Sequence, residues 1–124
     1  MNQLMVTADD GPGLLARVYE AAAAANVEID AGYCLANGAT GLVTVSARDE
    51  AGLRAALSRA GLRYIVMEVV EVDDDPATRA RLFRRLTDAG VDLRMAVPVR
   101  GPDGRHRIAL AARYHETLER ALGR

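Results

Sequence analysis

Residues 4–19 read Leu-Met-Val-Thr-Ala-Asp-Asp-Gly-Pro-Gly-Leu-Leu-Ala-Arg-Val-Tyr, and the fold is decided in this stretch. Leu4, Met5 and Val6 form a short apolar strand. Leu14, Leu15, Val18 and Tyr19 then recur at helical spacing. The bend between them, Asp9-Asp10-Gly11-Pro12-Gly13, is a strand-to-helix turn, with Asp10 suited to cap the helix and Pro12 to its first turn. A shift of 64 positions carries Asp9, Asp10 and Pro12 onto Asp73, Asp74 and Pro76, and Val6, Ala16, Arg17, Ala25 and Val27 onto Val70, Ala80, Arg81, Ala89 and Val91. Alanines alone align by chance; Asp-Asp-x-Pro at the same turn in both halves points to an internal duplication.

Working outward, the first half reads strand, helix, strand, strand, helix, strand. The helix after the turn runs through Ala21 to Ala25, and Asn26 can end it in a left-handed conformation. A second strand is expected from Val27 to about Leu35, and Asn37-Gly38 signals a tight hairpin into a third from Gly41 to Ala47. Leu53, Ala56, Leu57 and Ala60 form the stripe of a second helix stopped by Gly61. The second half repeats the plan. Val69, Val70 and Val72 lead into the turn, Leu82, Phe83 and Leu86 line a helix ending at Gly90, and strands are expected over 92–99 and 106–112. A short helix from His115 to Leu122 closes the chain, and no fourth strand follows it. The stretch Arg63 to Val72 is long enough for one strand to serve both halves. A half of about 60 residues is marginal alone, so a shared core or a continuous sheet is expected.

A βαββαβ unit with helices on one face of an antiparallel sheet is the ferredoxin-like plan, so the fold class is α+β, with repeats over 1–66 and 67–124. Asp10-Gly11-Pro12-Gly13-Leu14-Leu15 after a strand, with Asn26-Val27-Glu28-Ile29 after the helix, resembles the ACT domain family. That family often reads Asp-x-Pro-Gly-x-Leu and Gly-x-Asn-Ile at these places. Nearly the whole chain resembles two successive ACT units, as in small stand-alone tandem-ACT proteins. The resemblance implies a regulatory module that binds an amino acid or a similar small ligand at interfaces between ACT units.

The residues suit that role. A helix N-terminus presents unpaired N–H groups to a carboxylate. Gly11 and Gly13 let a ligand approach the backbone, and Asp10 or Glu28 offers an acceptor to an ammonium group. The expected binding residues are Asp10, Gly11, Pro12, Gly13, Leu14, Asn26, Val27 and Glu28. Asp-Gly-Pro-Gly is also good turn chemistry without a ligand. Asn26 and Glu28 depart from the family's glycine and asparagine. A second, weaker site is expected at Asp74, Asp75, Pro76, Ala77, Gly90, Val91 and Asp92. There Ala77 replaces the glycine, and Asp73, Asp74 and Asp75 would draw a cation or simply stay solvated.

Composition narrows the function further. The formal charge is −1 and aromatics are 4%, which argues against a nucleic-acid partner. No apolar run approaches the roughly 20 residues that span a bilayer, and no leader is evident, so a cytoplasmic location and no membrane partner are expected. The one cysteine, Cys34, is read as a buried structural thiol. His106 and His115 lack ligand spacing, so no metal and no cofactor is expected. Tyr19, Tyr33, Tyr64 and Tyr114 are read as covering core edges, with Tyr33 alternatively lining an interface pocket. The clusters Arg84-Arg85 and Arg105-His106-Arg107 are read as solvated faces or as contacts for an acidic partner. No nucleophile–base pair or phosphate loop names a reaction, so the chain is not expected to be an enzyme. The open sheet edge predicts a homodimer or larger assembly. The alternative is an interaction module or accessory subunit of a metabolic enzyme, with no ligand of its own.

Overall fold

The computed structural model describes residues 2–8, 13–37 and 40–124. Two compact units, Met1–Val66 and Met67–Arg124, divide the chain.

The first unit holds β1 (Gln3–Ala8), α1 (Leu14–Ala24), β2 (Ala31–Asn37), β3 (Thr40–Ser46), α2 (Glu50–Arg59) and β4 (Tyr64–Met67, one residue past the boundary). Its sheet has the order β2-β3-β1-β4, with β3 antiparallel to both β1 and β2. Register sets Leu4 opposite Val45 and Val6 opposite Val43. All four side chains therefore share one face, onto which Leu14 and Val18 of α1 and Leu53 and Leu57 of α2 pack. These leucines are fully buried, and each contributes about 1.5–3 kcal/mol by leaving water.

The second unit holds β5 (Val70–Asp73), α3 (Arg79–Asp88), β6 (Leu93–Arg100), β7 (His106–Ala112) and α4 (His115–Ala121). Its sheet has the order β5-β7-β6, antiparallel throughout. Val70, Leu86, Val91, Ile108, Leu110 and Leu118 form its core. The architecture is thus α+β, with helices and antiparallel sheets in the ferredoxin-like order. Among the described residues no strand follows α4, and β5 forms one edge of the sheet.

The helix stops follow the sequence closely. Asn26 adopts φ 55°, and Gly61, Gly90 and Gly123 adopt φ 74°, 77° and 78°. Each closes its helix with paired backbone bonds, such as Asn26 N to Ala23 O at 3.0 Å and Val27 N to Ala22 O at 2.9 Å. At the other end of α2, the Asp49 carboxylate caps the helix by accepting from Gly52 N at 2.9 Å.

Three expectations are corrected. The strand expected over Arg63–Val72 breaks at Glu68–Val69, because β4 lies beside β1 in one sheet while β5 pairs with β7 in another. The sheet is therefore not continuous, and the buried apolar residues form two clusters rather than one. The second strand starts at Ala31 rather than Val27, since the Val27 N–H is spent closing α1.

Candidate functional site

Helix α1 starts at Leu14 with Gly13 at its N-cap. Gly13 has φ 95°, a left-handed conformation that L side chains rarely adopt. It is exposed, and among the described residues a methyl group there would meet no atom within 4 Å. The left-handed conformation is what requires the glycine. The first backbone bond of the helix runs from Arg17 N to Gly13 O, at 3.0 Å. The amides of Leu14, Leu15 and Ala16 thus have no partner within the helix itself. Asp10, Gly11 and Pro12, expected to form the rest of this turn, lie outside the described residues. Leu14 is fully buried, backbone included, so the exposed residues of the first turn are Leu15 and Ala16.

The other expected half of the site sits elsewhere in the unit. Asn26, Val27 and Glu28 follow the C-terminal end of α1. Asn26 and Glu28 are exposed, whereas Val27 packs on the core. An eleven-residue helix is about 16 Å long, so α1 separates Gly13 from Asn26 by more than a small ligand can span. The structure does not bring these two segments together within one unit.

A groove runs beside the N-terminal half of α1. Leu15, Ala16 and Tyr19 of the helix and Gly32, Tyr33 and Cys34 of β2 line about 470 Å³. Its rim is apolar, with Leu15 and Tyr19 each 44% exposed. Gly32 makes the close approach of β2 and β3 possible at the floor of this groove. A methyl group there would lie 2.9 Å from the Thr44 carbonyl oxygen, 3.0 Å from Val45 Cγ1 and 3.3 Å from the Tyr19 hydroxyl. The sequence reading missed this groove; its signal was the breadth of the apolar arc Leu14, Leu15, Val18 and Tyr19, wider than one core face needs. Cys34 is exposed, not buried, because β2 is the edge strand and its thiol lines this groove. Tyr33 lines it too. Tyr64 packs against the core, but Tyr114 is exposed, with the Arg113 guanidinium 5.2 Å from its ring centre.

In the second unit the corresponding groups are engaged internally. Arg79 Nε and Nη2 donate to the two oxygens of Asp74 at 2.8 and 2.6 Å. These hydrogen bonds hold the Asp74 carboxyl below its ordinary value, outweighing burial, and the charges of Arg79 and His106 act in the same direction. Asp75 accepts from Ala77 N at 3.0 Å, so Asp75, Pro76 and Ala77 belong to a local turn ahead of Thr78, the N-cap of α3. Gly90 and Val91 close α3, and Asp92 pairs with Arg94 at 3.0 Å. His115 Nε2 lies 3.2 Å from both Glu68 Oε2 and Glu119 Oε1, while His106 borders the turn with Asp73, Asp74 and Arg105.

No family model and no curated protein matches the sequence. Solved structures do match the fold. A protein from Bacteroides thetaiotaomicron superposes with a TM-score of 0.72 at 18% identity, over 98% of this chain and 85% of the other. The ligand-free regulatory subunit of aspartate kinase from Thermus thermophilus gives 0.59 at 18% identity, over 98% and 90%. The regulatory subunit of aspartate kinase from Thermus flavus gives 0.58 at 21%, over 98% and 90%. The chain therefore has an ACT-like fold, the fold of these regulatory subunits. No helix among the described residues is long and apolar enough to cross a membrane.

Proposed function

We propose that this chain is a non-catalytic regulatory protein of two ACT-like repeats, 1–66 and 67–124, that binds a small zwitterion, an amino acid, at the start of α1. The observation that carries the reading is the exposed, left-handed Gly13 at the N-cap of α1, followed by the exposed Leu15 and Ala16, whose amides have no partner within the helix and suit a carboxylate. Asp10, Gly11 and Pro12 complete this turn in sequence. The fold likeness to regulatory subunits of aspartate kinases supports a regulatory role.

The separation of Gly13 from Asn26 and Glu28 makes the site a shared one. Strand β2 is a sheet edge, and two such edges pairing antiparallel about a twofold axis would set two α1 helices side by side in opposite directions. The start of α1 in one unit then approaches Asn26–Glu28 of another, where Glu28 takes the ammonium group. Such a ligand favours the assembled state and works by linkage, in a homo-oligomer or on an enzyme partner. The second turn is the weaker candidate, since Asp74 and Asp75 already have partners.

Thermal unfolding in the presence of each of the twenty amino acids tests the reading. A ligand at 100 times its Kd raises native stability by about 2.7 kcal/mol. The Gly13→Val variant, folded by circular dichroism, should lose that response. A response that survives the substitution would move the site. A response to no amino acid would leave the apolar α1/β2 face, with exposed Leu15, Tyr19 and Leu35, as a surface for protein contacts alone.

A further inference from the structure

The two sheets differ in one position. In the first unit β4 lies beside β1, whereas β5, the corresponding strand of the second, has no neighbour on its outer side among the described residues. The direction of its free groups follows from one bond. Asp74 N donates to the carbonyl of His106, the first residue of β7, at 3.1 Å. Alternation along the strand then turns the N–H and C=O of Val70 and Val72 toward β7, and those of Glu71 and Asp73 outward. Arg124 Nη2 donates to Glu71 O at 3.3 Å, as an outward carbonyl requires.

Beside this edge lies a groove of about 390 Å³ lined by Val72 and Asp73 of β5 and by Thr78, Arg81, Leu82 and Arg85. Val72 and Leu82 are half-buried, which gives it an apolar floor. Arg81 and Arg85 stand one turn apart on α3, about 6 Å along its axis. Both are exposed and, among the described residues, form no ion pair. We propose that this edge and groove accept an extended, acidic segment of a partner protein, which adds to the second sheet as its fourth strand beside β5. Its main chain pairs with the outward groups of Glu71 and Asp73, replacing the Arg124 contact, and its helix-side carboxylates meet Arg81 and Arg85. A second copy's β5 fits poorly. Antiparallel β5 pairing would put Glu71 and Asp73 on the same face as their counterparts, and like charges across a strand pair are destabilising. The inference does not rest on a ligand at α1.

The test uses the full chain and two labelled, end-blocked heptapeptides that alternate glutamate with threonine or lysine with threonine. The glutamate peptide should bind saturably, and the lysine peptide at least tenfold more weakly. Combining Arg81→Glu with Arg85→Glu should weaken the glutamate peptide at least tenfold. Asp73→Pro, which removes an outward N–H and leaves the β7 ladder intact, should do the same. Hydrogen exchange should show the Glu71 and Asp73 amides protected by the bound peptide. Should Asp73→Pro fail to fold, the arginine variant and the exchange data carry the test. Equal binding of both peptides, binding by neither, or binding without amide protection would overturn the proposal. Self-association abolished by Asp73→Pro, without peptide binding, would assign the edge to a second copy and overturn it too.

Discussion

Arg79 grips Asp74 in a bidentate pair across the turn that precedes α3, with the Asp74 side chain only 5% exposed. In the first unit the corresponding turn is described only at Gly13. The second turn is held by its own side chains, whereas the ligand site proposed above uses the first.

The pair makes stability depend on acid. Asp74 has a lowered native value, so its contribution is complete above the ordinary aspartate value of 3.8 and is lost as pH falls below it through the native value. Asp74→Asn should therefore destabilise the protein at pH 7, and the difference from the unaltered chain should shrink toward pH 2. Urea unfolding at several pH values measures this. A difference that stays constant with pH would contradict it.

Asn26 closes α1 with φ 55°. Glycine adopts that region without a Cβ penalty, so Asn26→Gly should hold or raise stability by up to about 1 kcal/mol. Asn26→Val should cost about 1–2 kcal/mol, because a β-branched residue resists the left-handed region. Chemical denaturation of both variants checks the order.

Gly32 lets β2 lie close against β3, its neighbour in the sheet. Its missing side chain would press on the Thr44 backbone at 2.9 Å, which cannot swing away as a flexible side chain can. Gly32→Ala should cost about 1–3 kcal/mol, the range for overpacked sites. An unchanged melting temperature would show that the strand yields more easily than its contacts imply.

Cys34 is exposed on an edge strand. It should react completely with a thiol reagent without denaturant. If the α1/β2 face forms the assembly, the reaction should slow as protein concentration rises. A thiol that reacts only after unfolding would contradict the placement of β2.

Local signals in the sequence carried most of the fold. The apolar alternation of Leu4 and Val6, the spacing of Leu53 and Leu57, and the stops at Asn26, Gly61 and Gly90 depend on neighbours in the chain, and each element stands where those residues put it. What stayed hidden depends on pairing partners far along the chain. Apolar residues continue on both sides of Glu68, in Tyr64 to Met67 and in Val69, Val70 and Val72, so the local pattern does not announce that the strand changes sheets there. Cys34 looks like a core residue by type, and only the edge position of β2 exposes it. The candidate site was legible as a turn, through Gly13. Its remoteness from Glu28 follows from the length of α1, which the sequence also contained.

The central claim concerns two amides. Backbone nitrogen-15 spectra of the full chain, recorded while an amino acid found to stabilise it is added, test that claim most directly. The Leu15 and Ala16 amide signals should shift saturably, with the same midpoint as the thermal stabilisation, and the shifts should vanish in Gly13→Val. Saturable binding that leaves these two signals unmoved would contradict the account.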